Sequence, residues 1–547
     1  MRDAVDNRNW TSLCVLGFAG ALIVLGGCAR KNYKRDADEQ VYRFVDRQWK
    51  PEFGARANYR VTGAPPAPND IDEEQLARIE RVVSDTGVLT VSQAATLALA
   101  RNRDYHLQKE LLYTMTLDMR LIRHSYETQW FGGGTALYSD DGTTRSVVVE
   151  PNLGFNRLLA TGTAIGARIG ARWADILAGF GGSGLSGVFS AAIVQPLLRG
   201  SDSRVVREPL TQAERSALYQ IRTVCRFRKL LIVSVVTQYH EALELLDIAR
   251  NAEAYVNSLL ALESRVEKLV EAARLPKEEL DRVRQDILRA RDAHILAQKE
   301  YERFLDLFKI TLGVPPTLEF DLDANVFATL KGAGIPQPDF SVGEAVEAAL
   351  LRRLDLTNNA DMVIDAQRAV YVAADALRPG LGVVGNLRAE TDGDRTGAAG
   401  ATLDLPLDRV AEQDLYARAL VLLNQRRREY ELTADTIRME VREAHRKLIE
   451  TAERYEVLLE ALRLAQKRTD DTFRLLQYGL VSSRRVLSAL EDLYDARNEA
   501  ADALKDYAIA TLNFYRDTEV LQVRPDGMWE IELGATLVAR NEAAAKK

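Results

Sequence analysis

The sequence TVSQAATLALARNRDY, at residues 90–105, returns as SVGEAVEAALLRRLDL at residues 341–356. Each copy opens on a hydroxyl residue that has Gln or Glu three positions later, which is the spacing of a helix capping box. We expect one helix from here to about Tyr126, and a second ending at Arg378–Pro379 because a residue before proline avoids the α region. Six residues are identical between the copies: Val91/Val342, Ala94/Ala345, Ala98/Ala349, Leu99/Leu350, Arg101/Arg352 and Asp104/Asp355.

A second repeat lies further along the chain and has the spacing of a coiled coil. Apolar or small residues recur three and four positions apart at 280–308 and again at 486–514. A sustained 3.5-residue repeat predicts helices that pack lengthwise in a seam. A long helical block precedes each seam, at 210–270 and 411–473. About 60 helical residues make a rod roughly 90 Å long, which must pack along other rods rather than inside one core.

Between the short helix and the long pair of each half, the composition favours β-strands. The β-prone or Gly-rich runs are 135–155, 162–173, 187–198, 380–390 and 397–407. Strands that face lipid on one side and a polar lumen on the other carry only a weak alternation of this kind. Trp130, Phe131, Tyr138 and Trp173 would then suit an interfacial aromatic girdle. Ordinary soluble hairpins are the alternative on these residues alone.

The N-terminal segment has the features of a targeting signal. Its apolar run at 13–25 is too short to span a bilayer. It ends in Leu25-Gly26-Gly27-Cys28, which resembles a bacterial lipobox whose Cys28 thiol takes a lipid anchor. Ala29, rather than Asp, follows that cysteine and favours the outer membrane. A plain signal peptide with a chance cysteine is the alternative.

Composition argues against several classes of function. The 547 residues carry a net charge of -7, so no basic footprint indicates nucleic acid. The five histidines are scattered without ligand spacing, and we expect neither a metal, a cofactor nor a catalytic site. Gly179, Gly181 and Gly184 fit a GxGxxG pattern, but they lie between strand-like runs and predict only a flexible loop.

The duplicated order of helix, strands, long helix and long helix resembles the outer-membrane efflux protein family, of which TolC is the best-known member. The resemblance covers about residues 89–522 and is most specific at a strand-to-helix segment and at a helix–turn–helix tip. These pieces are Gln195-Pro196-Leu197-Leu198-Arg199-Gly200 with its weaker copy Leu405-Pro406-Leu407, and Tyr478-Gly479-Leu480-Val481-Ser482 with the following Val486-Leu487 and Leu493-Tyr494-Asp495-Ala496-Arg497. Gln195, Pro196, Leu197 and Pro406 would mark the equator where strands turn into helices, since proline breaks strand pairing and presets φ.

The resemblance implies an α+β membrane protein that works as a homotrimer. Four strands per subunit would form one twelve-stranded barrel in the outer membrane, continued by an α-helical barrel through the periplasm. In lipid only closure removes strand edges. The implied function is a passive exit duct that joins a periplasmic adaptor and an inner-membrane pump, in efflux or type I secretion.

The alternative is a lipid-anchored periplasmic coiled-coil scaffold without a pore, which has no reason to carry two strand blocks. The expected organisation is a signal peptide at 1–27, an anchor and linker at 28–88, a first repeat at 89–313 (strands about 128–198, long helices about 205–313), a linker at 314–340, a second repeat at 341–522 (strands about 380–407, long helices about 410–520) and a tail at 523–547.

In the family the helix–turn–helix tips dock the adaptor. The expected tips here are Gly479, Leu480, Val481 and Ser482 in the second half and Ala273, Arg274, Leu275 and Pro276 in the first. Glycine suits a tight turn. The first tip lacks it, so adaptor docking there competes with a plain interhelix turn.

Family members commonly carry an acidic residue facing the pore just before the Val-Leu pair, where this chain has Arg485. Three arginines around a narrow axis would repel one another. We expect Arg484 or Arg485 to line a gate, with Asp470 and Asp471 as possible salt-bridge partners. The alternative is a solvated arginine on the outer wall.

Overall fold

The computed structural model describes residues 33–531, apart from positions 62, 65–68, 72, 141, 179–183, 327–340 and 406. Cys28 and Pro406 lie outside the described residues. Within them, eleven α-helices are α1 (Tyr33–Gln48), α2 (Glu73–Thr86), α3 (Val91–Arg101), α4 (Arg103–His124), α5 (Ser203–Val206), α6 (Glu208–Glu271), α7 (Lys277–Leu312), α8 (Val342–Arg352), α9 (Leu354–Ala376), α10 (Val410–Gln477) and α11 (Ser483–Asp517). The strands are β1 (Val88–Leu89), β2 (Gln129–Asp140), β3 (Arg145–Leu158), β4 (Ala164–Ala178), β5 (Gly184–Pro196), β6 (Asp321–Leu322), β7 (Gly380–Glu390), β8 (Arg395–Asp404), β9 (Leu521–Val523) and β10 (Trp529–Ile531).

Both predicted capping boxes are present at the starts of α3 and α8. Thr90 and Ser341 each accept a hydrogen bond from the backbone N–H three residues on, and the Gln or Glu at that position accepts one in return. The prediction of unbroken helices was wrong. Each helix is interrupted at an equivalent residue, Asn102 (ψ 127°) in the first half and Arg353 (ψ 120°) in the second. Asn102 caps the next helix by accepting from the N–H of Tyr105 at 2.9 Å, a local signal that an N-cap residue offers.

The long helices form two antiparallel pairs. α6 packs along α7 and α10 along α11, while α11 also packs against α6 and so joins the halves. The 64 residues of α6 and the 68 of α10 make rods of about 96 and 102 Å. Every seam position of the second copy is buried, as the repeat predicts: Val486, Ala489, Leu493, Ala496, Ala500, Ala503, Tyr507, Ala510 and Phe514. No helix in the described ranges combines the length and apolar character needed to cross a membrane.

Residues 33–61 were expected to be part of a linker, but they pack into the largest apolar core. The helix α1 contacts α4 and α6, and Val45, Phe53 and Tyr59 are buried. The buried Arg228 guanidinium of α6 donates to the backbone carbonyls of Ala55 and Ala57, at 2.8 and 3.1 Å. The high charge of the segment concealed an apolar stripe at helical spacing.

The six long strands form one antiparallel sheet in the order β2-β3-β4-β5-β7-β8, in which β5 and β7 join the two halves. The expectation of four strands per chain was therefore wrong, because the described sheet has six. The first half supplies two hairpins and the second half one. The reason is length: residues 129–196 accommodate four strands of 12 to 15 residues, whereas 380–404 hold only two.

Candidate functional site

The six-stranded sheet has one apolar face and an opposite face, called the polar face here, that carries polar side chains together with apolar ones such as Leu137, Val188 and Val384. Alternate residues of a strand point to opposite faces, and residues paired across strands share a face. On β4, Ile165 and Ile169 therefore share one face, and Arg168 lies on the other. The strand register adds these residues to the apolar face: Trp130, Tyr138, Val149, Leu153, Phe155, Trp173, Leu185, Phe189, Ile193, Leu381, Val383, Leu387 and Leu403. Arg157 and Arg395 share this face but lie at or near strand ends.

The opposite face carries a row of polar side chains across four strands. Arg168 pairs with Ser190, Ser190 with Arg388, and Arg388 with Thr396. The Arg388 Nη2 atom lies 2.7 Å from Glu390 Oε1, so this arginine is neutralised locally.

Charge on the polar face is partly compensated. The Arg172 Nε atom lies 3.1 Å from Glu150 Oε1. Arg168 makes no ion pair within the described part of the chain. One uncompensated positive charge thus remains on the polar face of each chain.

Three of the four predicted girdle aromatics share the apolar face. Trp130 packs on Phe155 with ring centroids 5.3 Å apart. Phe131 is the exception. It pairs with Gly154, which pairs with Arg168, and a Cβ at Gly154 would lie 2.6 Å from the Phe131 ring. Phe131 therefore covers Gly154 on the polar face, a position that only strand register could reveal.

The predicted equator lies at the end of β5. Pro196 is its last residue, and a Cβ at Gly162, in the β3–β4 turn, would lie 2.8 Å from the Pro196 Cγ. The Gln195 amide donates to the carbonyl of Thr161 at 3.3 Å, and the N–H of Leu197 donates to the carbonyl of Leu381 at 2.7 Å. The proline thus ends the last of the four strands of the first half, shortly before α5 begins at Ser203.

The two predicted tips have the same backbone geometry. Ala273 (φ 55°) and Gly479 (φ 70°) both adopt the left-handed conformation. The N–H of Arg274 donates to Leu269 O at 2.8 Å, and that of Leu480 to Leu475 O at 3.1 Å. Alanine therefore takes the conformation that glycine takes in the second copy.

The structure brings the tips together at one end of the rods. Leu275 and Val481 belong to a common apolar cluster below both turns, and the Ser483 hydroxyl donates to the Glu279 carboxylate across the two helix pairs. Tyr478 and Leu480 remain exposed at 79% and 68%. Arg274, Pro276 and Ser482 are exposed as well, so the tips present a mixed apolar and polar surface.

The predicted gate residues lie near the end of α10 and at the start of α11, and they do not pair with one another within the described residues. Arg484 and Arg485 are exposed on the first turn of α11. Asp471 lies 3.9 Å from Arg474 of its own helix, and Asp470 accepts from Gln466 at 3.2 Å. The expected salt bridges to Arg484 and Arg485 are therefore absent within the described chain. The gate itself stays a prediction.

A buried charge network between the halves was missed by the sequence analysis. Lys229 Nζ lies 2.7 Å from Glu519 Oε1, and both side chains are buried. Arg226 lies 3.2 Å from Asp355, and Arg353 lies 2.7 Å from the same carboxylate. Burial alone would raise the pKa of Asp355, but the hydrogen bonds from Arg353 and the charge of Arg226 hold that pKa below its usual value. The available signal was Lys229 at the edge of the apolar run LLIVSVV.

The described residues offer little for covalent or metal chemistry. Cys225 is buried and unpaired, and burial raises the pKa of its thiol to about 11, which suppresses the reactive thiolate. No group of His, Cys, Asp and Glu in the described ranges is placed to hold a metal ion.

Solved structures resemble the chain, whereas no protein-family model and no curated protein matches it. The CmeC outer-membrane channel of Campylobacter jejuni is 14% identical, with 90% of this chain and 94% of that chain covered at a TM-score of 0.58. The outer-membrane protein VceC of Vibrio cholerae is 13% identical, with 78% and 95% covered and a TM-score of 0.58. The open state of the Neisseria gonorrhoeae MtrE outer-membrane channel is 14% identical, with 78% and 88% covered and a TM-score of 0.57.

The chain has the fold of the TolC-like outer-membrane factors. At these identities the likeness establishes the fold. CmeC and MtrE are outer-membrane channels, and the absence of a catalytic role in this chain stays a prediction.

Proposed function

We propose that the chain is the outer-membrane channel of a tripartite efflux or type I secretion system, and that three copies enclose a passive duct. The observation that carries the proposal is the two-faced sheet joined to rods of about 100 Å. A sheet with an apolar and a polar face suits lipid outside and water inside. Long rods below it suit a wall that continues through the periplasm.

The exposed apolar residues of the rods support assembly from several copies. Isolated exposed apolar residues are ordinary, but rows of them along one rod favour a partner surface. The apolar residues of α10 that are more than half exposed are Val410, Leu415, Val421, Leu432, Met439, Val457 and Leu464. The apolar residues of α7 that are more than half exposed are Leu288, Ile295, Leu296 and Ile310. A neighbouring copy packed lengthwise would cover them.

The remaining parts of the proposal assign roles along the duct to residues predicted from the sequence. Cys28 would carry the lipid anchor in the outer membrane. The paired tips, with Tyr478 and Leu480 exposed, would dock the periplasmic adaptor that connects to an inner-membrane pump. Arg484 and Arg485, next to the tips, would line the gate at the periplasmic end.

The first test is planar-bilayer conductance of the purified, detergent-solubilised protein, with the particle mass measured alongside. Stepwise channel openings from a particle of three copies are the expected result. A one-copy or two-copy particle that leaves bilayers silent would instead favour the alternative, a lipid-anchored scaffold without a pore.

The anchor has a separate test. Mass spectrometry should find an acylated N-terminus at Cys28 in the mature chain. A Cys28→Ser variant should lack the acyl mass but still form channels, because the anchor is not part of the wall. An unmodified cysteine in the native chain would refute the anchor and leave the channel proposal standing.

A further inference from the structure

We propose that the barrel of this protein has eighteen strands, six from each of three copies, instead of the twelve that the family resemblance implies. This inference rests on the proposed trimeric channel and concerns the membrane-spanning part of its wall. Its starting point is the six-stranded sheet of the described chain.

The outer hairpin of the first half, β2–β3, is called the extra hairpin here, and it is an integral part of that sheet. β2 and β3 are paired over twelve residues, from Gln129↔Asn156 to Asp140↔Arg145. β3 is then paired with β4 along nearly its whole length. No strand of the six is detached from its neighbours, so none is available as a separate plug or external hairpin.

The faces of the extra hairpin match those of the remaining sheet. Trp130 and Tyr138 of β2 share the apolar face with Leu153 of β3 and with Ile169 of β4. These side chains are largely exposed within one chain. If the extra hairpin lay outside a twelve-stranded barrel, its apolar face would no longer contact the lipid that the apolar face of the remaining strands contacts.

The two outer strands have the features of edges that are covered by a partner. Soluble proteins protect exposed sheet edges with interior charges, prolines or short strands. β2 has twelve residues and β8 has ten, and in each the only charged residues stand at strand ends. Neither contains proline. Such long edges need a partner strand in lipid, where unpaired backbone groups are expensive.

The directions of the strands identify the occupant as another copy of this chain. The sheet is antiparallel throughout, so with six strands β2 and β8 run in opposite directions. β8 of one copy can therefore pair with β2 of the next in the same antiparallel sense, and both faces continue around the ring. Three copies then close the barrel without a mismatched joint.

The number of strands sets the pore size. With strands about 4.8 Å apart and tilted by about 40°, eighteen strands give a backbone diameter of roughly 36 Å, against roughly 24 Å for twelve. Barrels of sixteen to eighteen strands leave an aqueous channel. The membrane-spanning pore would thus be about 1.5 times as wide as in a twelve-stranded barrel of equal tilt.

Interchain disulfide formation tests which strands meet. Thr135→Cys on β2 is combined in turn with Ala398→Cys, Gly400→Cys and Thr402→Cys on β8, because all four positions lie on the polar face and the series samples the unknown register. The matched control replaces Thr135→Cys with Gly170→Cys on β4, also on the polar face. In a twelve-stranded barrel that excludes β2 and β3, β4 would be the edge.

The expected result is covalent dimers and trimers after oxidation for at least one member of the Thr135 series, and none for the Gly170 series. Crosslinks in the Gly170 series alone would overturn the inference in favour of twelve strands. A conducting trimer without crosslinks in either series would also overturn it, because its β2 and β8 edges do not meet. Loss of both trimer and conductance in the unmodified protein would instead reject the proposed function itself.

Discussion

The left-handed residue of each tip allows a paired test of backbone strain. Gly479 has a φ of 70°, and a Cβ added there would have no atom within 4 Å. Gly479→Ala therefore introduces conformational strain without a clash. Ala273 already has a φ of 55°, so Ala273→Gly should relieve the same strain. The two substitutions are chemically opposite at equivalent positions.

The magnitude follows from the cost of the left-handed conformation. An L-residue there costs about 1 kcal/mol relative to glycine, and about 1 kcal/mol changes an opening equilibrium roughly fivefold. Gly479→Ala should thus speed hydrogen exchange of the Leu480 amide about fivefold. Ala273→Gly should slow exchange of the Arg274 amide by a similar factor, since both amides close the hydrogen bonds of their turns.

Hydrogen exchange of the detergent-solubilised protein, followed by mass spectrometry of tip peptides, measures both effects. Ala272→Gly is the matched control, because Ala272 has a φ of -77° and glycine there adds flexibility without relieving strain. Ala272→Gly should therefore weaken the protection of the tip amides against hydrogen exchange. If Ala273→Gly weakened protection as much as Ala272→Gly does, the strain argument would be refuted.

Three further predictions concern the helical part. Lys229→Met should lower the free energy of unfolding by about 3 kcal/mol, because the buried Glu519 loses its nearer partner and keeps Arg226 at 3.5 Å. The double variant with Glu519→Gln should recover most of this loss in denaturant titrations. Burial lowers the pKa of His240 to about 4. Between about pH 6.5 and 4 the unfolded chain therefore binds a proton at His240 that the folded chain does not bind. The contribution of His240 to stability is thus complete above about pH 6.5 and decreases as the pH falls below it. In denaturant titrations at pH 7 and pH 5, His240→Gln should reduce the difference in stability between the two pH values. Arg485→Asp should change channel conductance or its salt dependence in planar bilayers, whereas unchanged conductance would assign Arg485 to the outer wall.

Local features were predictable because they depend on residues only a few positions apart. The capping boxes at Thr90 and Ser341 and the buried seam of α11 followed from spacing alone. The tip at Gly479 followed from its turn chemistry and the family resemblance. The break at Asn102 was also local, but the apolar periodicity continues across it and concealed the cap.

The rest depended on contacts between distant parts of the chain. The wrong expectation of four strands came from the family resemblance, whereas the β-prone runs cover all six strands. Their pairing into one sheet could not be derived from the weak alternation, because it depends on partners such as β5 and β7 that lie far apart in sequence. Lys229 and Glu519, separated by 290 positions, meet only because the two halves pack together. The salt bridges expected between the two gate aspartates and Arg484 or Arg485 are absent within the described chain, where Asp471 lies 3.9 Å from Arg474 and Asp470 accepts from Gln466.

The sequence by itself therefore determined the duplication, the long rods and the turns between them, since helix periodicity, caps and turn residues act over one or two helical turns. Only the tertiary structure decided that the sheet has six strands, which side chains share its polar face and which charges are buried. Those properties arise from pairing and packing between segments that are remote in sequence, where register, rather than local preference, selects the neighbour of each residue.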